Sequence, residues 1–524
     1  MKEVFSILIS VNINNLRELI LKLTENNEIK LNSEHFLHKI LNPKSIAVFG
    51  ANNNLLTTMG SMQLRNIIAG SGVSNIYPIH PRLDSVQGLK AHKSVSDLPI
   101  IPELAFLILP TRAIPQVMEE CGERGIKNLL ITSGGFREIG EEGVKFAKMI
   151  DDVSQKYNMR FIGPNCLGIY NAWYGFPERE DAYLNTFWPY AIPKRGNISI
   201  ISQSGTIAAQ TFWHAKEMGV NISASISIGN ERNIDMVDFL QYFKVDPHTK
   251  VIGLYIEEIK RGKEFIKVAK EITPFKPIVA IYTGGTSAAN RSIKSHTGSL
   301  GGNQKIFDAV FKDSGIIPTN SVKDFLYYLR TLSFAQKYNV FMKGKRVGII
   351  TDSGGSGSMM AKSLELYGLE VPEFSKQLKD EISEMIPFTA SANNPIDVTF
   401  DANFFNLFYK FPKILMKSGE IDGIIVWGLF DFDDVMETIE NSGMVIDENL
   451  KKMSSMLERS VLKPVKRLMQ KHSIPVYFSG PFPYKFPWFQ KFISSDLPTF
   501  DFWDAPPKCL KVLHQYSEYR KKHT

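Results

Sequence analysis

The sequence predicts an α/β protein made of three doubly wound units with parallel sheets. Two observations carry that expectation. From residue 45 onward, short β-type runs alternate with helical stretches, the pattern of parallel α/β layers. The opening strand of each unit also runs into a glycine-bearing turn: Gly50-Ala51-Asn52, Gln203-Ser204-Gly205-Thr206 and Asp352-Ser353-Gly354-Gly355-Ser356-Gly357. Ligands of open parallel sheets sit at the carboxyl ends of the strands, so these turns are candidate binding rims.

The first residues, Val4 to Ile9, are apolar but lack a basic leader region and a small-residue cleavage site. Leu16, Leu19, Ile20 and Leu23 fall at helical spacing, so 1–37 reads as a short helical extension rather than an export signal. The first unit, 38–180, is Rossmann-like. Its β-type runs are Ser45 to Phe49, Ile76 to Ile79, Ala105 to Leu109, Leu129 to Thr132 and Arg160 to Ile162. Gly50-Ala51-Asn52, Pro110-Thr111, Ser133-Gly134-Gly135-Phe136 and Gly163-Pro164-Asn165-Cys166 should therefore share one rim. A nicotinamide dinucleotide fits poorly there. Only Gly50 and then Gly60 follow the first strand, and the second ends in His80-Pro81-Arg82 instead of a carboxylate. The Arg82 cation suits a ribose phosphate, as in coenzyme A or NADP.

A Pro/aromatic connector over roughly 172–194 leads to the second unit, 190–336. Free amides and hydroxyls at Ser204-Gly205-Thr206 can form an anion site, or plain helix capping. Glu257 and Glu258 stand at the end of the run Val251 to Ile256. Either could orient an imidazole, or be a solvated strand end. After the run Ile278 to Ile281 and a Gly/Thr/Ser loop comes Ser295-His296-Thr297-Gly298-Ser299-Leu300. A histidine flanked by hydroxyls and glycine, between strand and helix, suits a phosphate-binding loop, where imidazole can itself carry a phosphoryl group. A surface histidine in a Gly/Ser loop is the plain alternative. The third unit, 343–520, opens with Arg346 to Thr351; no Lys-Ser/Thr pair follows its glycine turn, which excludes a Walker A loop. No metal-spaced His/Cys cluster and no Gly-x-Ser-x-Gly elbow occurs in the sequence.

Composition narrows the function class. Hydrophobic content of 44% and charged content of 22% are ordinary for a globular protein. The net charge of +7 is spread without a long basic block, which suits an anionic small molecule better than nucleic acid. Cys121, Cys166 and Cys509 form no CxxC pattern and fit a reducing cytoplasm. No apolar run approaches the roughly 20 residues that span a bilayer.

Taken in order, these pieces resemble the α subunit of ADP-forming acyl-CoA synthetases, the acetate–CoA ligase branch of the succinyl-CoA synthetase superfamily. The resemblance runs from about residue 38 to 518. It rests on Asn42 to Ala51, Gly163 to Gly168, Ile201 to Thr206, Ser295 to Ser299 and Asn394 to Val398, five motifs in the family's order. It implies a Rossmann-like CoA-binding domain followed by two flavodoxin-like, succinyl-CoA synthetase-like domains. It further implies that His296 is transiently phosphorylated, that Glu257 holds that histidine, and that Ser204, Gly205 and Thr206 cradle the phosphoryl group. Gly50, Ala51, Asn52, Pro110 and Gly135, with Arg82 and Asn165, would bind coenzyme A. The family's ATP-grasp domains are not in this chain, so ATP or ADP, with Mg²⁺, would bind a separate β subunit of a hetero-oligomer. A catalytically silent acyl-CoA-binding relative is the alternative, and the intact His296 loop argues against it. The chain departs from the family in Asn52 where serine is usual and in Tyr282 where many relatives carry lysine. Trp173 and Tyr174, just after the Gly-Pro-Asn-Cys segment, are expected either to reshape the acyl pocket or to pack between the first two domains.

Overall fold

The computed structural model describes residues 32–55, 58–70, 72–188, 192–297, 302–399, 403–428, 440–443 and 458–524. Most of the expected N-terminal extension therefore lies outside the described residues.

Each unit is built on a run of parallel strands whose opening strand lies inside the sheet. The first sheet contains β1 (Ser45–Phe49), β2 (Asn75–Ile79), β5 (Leu104–Leu107), β6 (Asn128–Ile131) and β7 (Arg160–Ile162), beside a small hairpin of β3 (Ser85–Val86) and β4 (Leu89–Lys90). The second contains β8 (Ile169–Asn171), β9 (Leu184–Asn185), β10 (Arg195–Ser202), β11 (Ile222–Ser227), β12 (Val251–Ile256), β13 (Ile278–Tyr282) and β14 (Ile317–Pro318). The third holds β15 (Val347–Thr351), β16 (Ile396–Asp397), β17 (Gly423–Trp427), β18 (Val476–Ser479) and β19 (Thr499–Phe500).

The spatial orders are β2-β1-β5-β6-β7, β14-β13-β12-β10-β11-β8-β9 and β16-β15-β17-β18-β19. In all three, the unit's opening strand (β1, β10 or β15) separates its second strand from its third. That is where the winding reverses and where a crevice opens beyond the strand ends. The turns after Phe49, Ser202 and Thr351 all occupy such switch points. The opening strands are apolar runs buried along most or all of their length, as strands covered by helices on both faces must be.

The boundary between the first two units differs from expectation. β8, inside the expected first unit, pairs antiparallel with β11, and β9, in the connector, pairs with β8, so the chain from Ile169 onward extends the second sheet. The third unit shares a continuous apolar core with one face of the second. Across that junction the helix Val322–Tyr338 buries Arg330, whose Nη2 donates to the Leu497 carbonyl at 2.6 Å and whose Nη1 donates to that of Thr499. A buried guanidinium is tolerated here because edge-strand carbonyls accept its N–H groups.

Among the described residues, no helix is long and apolar enough to cross a membrane. All three cysteines are free and buried.

Arg330→Ala should remove two buried hydrogen bonds, leaving the Leu497 and Thr499 carbonyls only the hydroxyls of Thr499 and Tyr484, and open a cavity, lowering stability by about 3 kcal/mol. Urea unfolding of the variant checks this; a change within about 0.5 kcal/mol would show that the guanidinium does not tie the two units.

Candidate active site

The first rim is built around a turn that its own side chains lock. Gly50 leaves β1 at φ +84°, and a Cβ there would lie 1.9 Å from the Ile108 carbonyl oxygen. Only glycine allows β1 to pass so close to the neighbouring strand end. Thr58 caps the helix Met59–Ala69 and donates from Oγ1 to the Gly50 carbonyl at 3.2 Å. Ser61 Oγ accepts the Asn52 N–H at 2.9 Å and donates to Asn52 Oδ1 at 3.1 Å. The Asn52 side chain thus shapes the turn from within. Around it, Pro110 leads into the short helix Thr111–Ala113, and Thr111 Oγ1 donates to the Gly134 carbonyl beside Gly135. Asn165 donates its N–H to the Ser133 carbonyl at 2.9 Å. Arg82 lies exposed just beyond β2. The four expected loops therefore converge, with Ala51 buried beneath them.

The second rim presses against the first. Ser204 caps the helix Gly205–Met218, its Oγ accepting the Ile207 N–H at 3.4 Å. Capping leaves the first-turn amides of Gly205 and Thr206 without an internal acceptor, the usual condition of a helix start and a ready anion site. A Cβ on Gly205 would lie 2.8 Å from Leu167 Cβ, so the Gly163–Gly168 segment packs directly on this turn. The Asn230 and Arg232 N–H groups donate to the Pro164 and Gly163 carbonyls at 2.9 and 3.0 Å.

Gln203 organises this rim, a role that sequence reasoning missed. Its side chain is 9% exposed, and all of its polar capacity is used. Oε1 accepts the N–H groups of Glu257 and, at 3.0 Å, Glu258; Nε2 donates to the Glu258 carbonyl at 2.8 Å and to Glu231 Oε2 at 2.7 Å. Glu231, also missed, accepts the Met236 N–H on its other oxygen at 2.8 Å. Burial raises its pKa to about 7, opposed by Lys260 and by the Gln203 hydrogen bond. Lys260 Nζ donates to the Asn230 and Glu231 carbonyls, both at 2.6 Å. Glu138 Oε1 joins the two units, accepting from Asn165 Nδ2 at 3.0 Å and Asn230 Nδ2 at 2.5 Å. The sequence carries one faint signal of this network, the polar run Gly229-Asn230-Glu231-Arg232 after a buried strand.

Glu257 follows β12 and is buried, 8% exposed, rather than a solvated strand end. The Thr283 N–H donates to the Ile256 carbonyl at 3.1 Å, drawing the exit of β13 alongside it. From there the chain enters the helix Ser287–Thr297, started by Thr286 Oγ1, which accepts the Ala289 N–H at 3.1 Å. The backbone of His296 lies in the last turn of that helix rather than in a loop. Its side chain, and residues 298–301, lie outside the described residues. Tyr282 stacks on Phe307, ring centroids 3.6 Å apart, and its hydroxyl accepts the Gly302 N–H at 2.7 Å.

Trp173 and Tyr174 follow the packing alternative rather than the acyl-pocket one. Trp173 stacks on His248 and donates to the Gly196 carbonyl at the start of β10, while Tyr174 donates to Pro43 before β1. Both therefore sit at the amino ends of the strands, opposite the rims. The antiparallel β8 carries them there. Among the described residues, no group of three or more His, Cys, Asp or Glu side chains could hold a metal ion.

Comparison with known proteins agrees with this geometry. Residues 44–172 match the CoA binding domain, and 195–332 match the succinyl-CoA ligase like flavodoxin domain. The α subunit of acetate–CoA ligase [ADP-forming] II from Pyrococcus furiosus is 33% identical over 447 residues, covering 84% of this chain and 94% of that protein. The acetate–CoA ligase [ADP-forming] of Methanocaldococcus jannaschii is 35% identical over 369 residues, 70% of this chain but only 50% of that protein. The dinucleotide forming acetyl-coenzyme A synthetase 1 of Ca. Korarchaeum cryptofilum, in complex with phosphate and ADP, superposes with a TM-score of 0.76 at 27% identity, over 93% of this chain and 97% of that one. The chain belongs to the family of ADP-forming acyl-CoA ligase α subunits.

Proposed function

We propose that this chain is the acyl-transferring half of a reversible acid–CoA ligase: acid + CoA + ATP ⇌ acyl-CoA + ADP + phosphate. The observation that carries the reading is the convergence, through Gln203, of the Ser204 helix start and the Glu257 strand end, beside the strand that leads to His296. In the thioester-cleaving direction a phosphate oxygen attacks the acyl carbonyl and the CoA thiolate leaves, giving an acyl phosphate. An imidazole nitrogen of His296 then attacks phosphorus, and the free carboxylate leaves.

The chain's own groups supply positioning and charge stabilisation, as phosphoryl transfer requires. Gly50, Ala51 and Asn52, with Arg82, Pro110, Gly135 and Asn165, hold CoA against the first rim. The cramped turn at Gly50 fits that role, since it draws Ala51 and Asn52 against the end of the neighbouring strand on the rim. The Ser204-Gly205-Thr206 amides and the partial positive charge of the helix start hold the phosphoryl oxygens. Glu257 fixes the imidazole tautomer and stabilises its cationic form. The backbone of His296 lies at a helix C-terminus, whose partial negative charge favours that cation too. ATP or ADP, with Mg²⁺, binds an ATP-grasp β subunit, which receives the phosphoryl group from His296. That the Pyrococcus furiosus relative is named as an α subunit supports a separate partner.

The silent-binding alternative makes the opposite prediction about His296. His296→Asn should abolish turnover by the assembled enzyme, more than about 10³-fold, while CoA affinity, read by calorimetry, stays within about twofold. Retained turnover would overturn the phosphohistidine mechanism. Gly50→Ala should weaken CoA binding by at least about tenfold, because its methyl cannot fit without moving the β1 turn. Unchanged CoA affinity in that variant would remove this turn from the CoA site.

A further inference from the structure

Glu231 combines three features that a structural carboxylate does not need. It is 4% exposed, yet its backbone holds a left-handed φ of +48°. A non-glycine residue keeps such a conformation only where its surroundings fix it, and such positions cluster at functional sites. Its two carboxylate oxygens accept from separate elements, the Gln203 amide and the first N–H of the helix Met236–Val245. A cavity of about 280 Å³, lined also by Phe136, Pro164, Asn230 and Lys260, gives it access to protons.

Gln203 is the other half of the argument. Its Oε1 faces two N–H donors, and its Nε2 faces a carboxylate and a carbonyl. Turning the amide over would make all four contacts repulsive. One orientation therefore holds, and it fixes the N–H groups of Glu257 and Glu258 one residue before Ser204.

We propose that Glu231 is a positioning residue for phosphoryl transfer: its buried carboxylate, acting through Gln203, holds Glu257 in register with the Ser204–Thr206 helix start. The proposal rests on the roles given above for His296 and Glu257. Protonation weakens the link, since a neutral carboxyl group has a hydroxyl in place of one acceptor oxygen and must release either Gln203 or Met236.

Burial sets this proton equilibrium close to neutrality, at about 7. The charged groups around it come from every adjoining element. Lys260 contacts the Glu231 carbonyl, and Glu257 and Glu258 stand on the far side of Gln203. Asp235 and Asp238 lie at the helix start, both paired with Arg261. Arg232 is paired with Asp151, and Glu138 reaches Asn230. The cations favour the carboxylate and the acids oppose it. The link is thus complete above neutral pH and released below.

The test is the rate of labelling of the purified full chain with acetyl-CoA and radiolabelled phosphate, from about pH 6 to pH 8.5. The wild type should gain about tenfold in rate across one ionisation centred near 7. Glu231→Gln should be about tenfold slower at the alkaline end and flat with pH, with CoA affinity unchanged. Glu231→Asp should recover part of the rate and the pH dependence. Gln203→Met cuts the link from its other end and should give the same flat profile. An ionisation that survives in Glu231→Gln belongs to His296 or to phosphate and overturns the proposal, as does a wild-type rate in that variant. Absence of label on the wild type instead overturns the phosphohistidine reading itself.

Discussion

The buried amide of Gln203 is the contact on which the rest of the site depends. It lies between the end of β10 and the helix that Ser204 caps, and reaches the end of β12 on one side and Glu231 on the other. An amide in this position tolerates no loss of partner, since an unpaired buried donor or acceptor costs about 1–3 kcal/mol. That penalty makes the geometry unique. The amides of the Ser204 helix start, Glu257 and the strand that leads to the helix of His296 are held in one arrangement.

Around that contact the fold uses one topology three times. In each sheet the opening strand stands where the winding reverses, and a turn leaves its carboxyl end there. The first such turn is cramped by Gly50, and the second is pressed by Leu167 from the first domain. The glutamate–asparagine cluster of Glu138, Asn165 and Asn230 joins the two rims into one cleft. The third turn, at Asp352, keeps the form, and burial raises its carboxyl to a pKa of about 6.

Much of this was legible in the sequence, for a local reason. Strands buried on both faces announce themselves as apolar runs, and the turns after them carry glycine where the backbone must approach a neighbour. Gly50, Gly135, Asn165, Ser204 and Glu257 could be placed on a rim from such runs alone. Gln203 stood in the same turn, but its contacts with Glu231 and Glu257 could not be read, nor could Glu231 itself. Their partners lie 28 and 54 residues along the chain, and no periodicity records which buried polar side chains meet. The acyl-pocket alternative for Trp173 and Tyr174 misled for the same reason. Proximity in sequence to Asn165 hid the fact that β8 runs antiparallel and carries them to the opposite end of the sheet. His296 was expected in a loop and its backbone lies in a helical turn, because the Ser-Ala-Ala-Asn stretch before it starts a helix sooner than its glycine-rich neighbours imply.

The central claim is that a phosphoryl group passes from the thioester side of the reaction onto this chain. The most direct measurement is to incubate the isolated wild-type chain with acetyl-CoA and radiolabelled phosphate, then locate the label by peptide mapping. The account predicts an acid-labile, base-stable label on the peptide that contains His296. Label on any other residue, or none under conditions where the chain binds CoA, would contradict it.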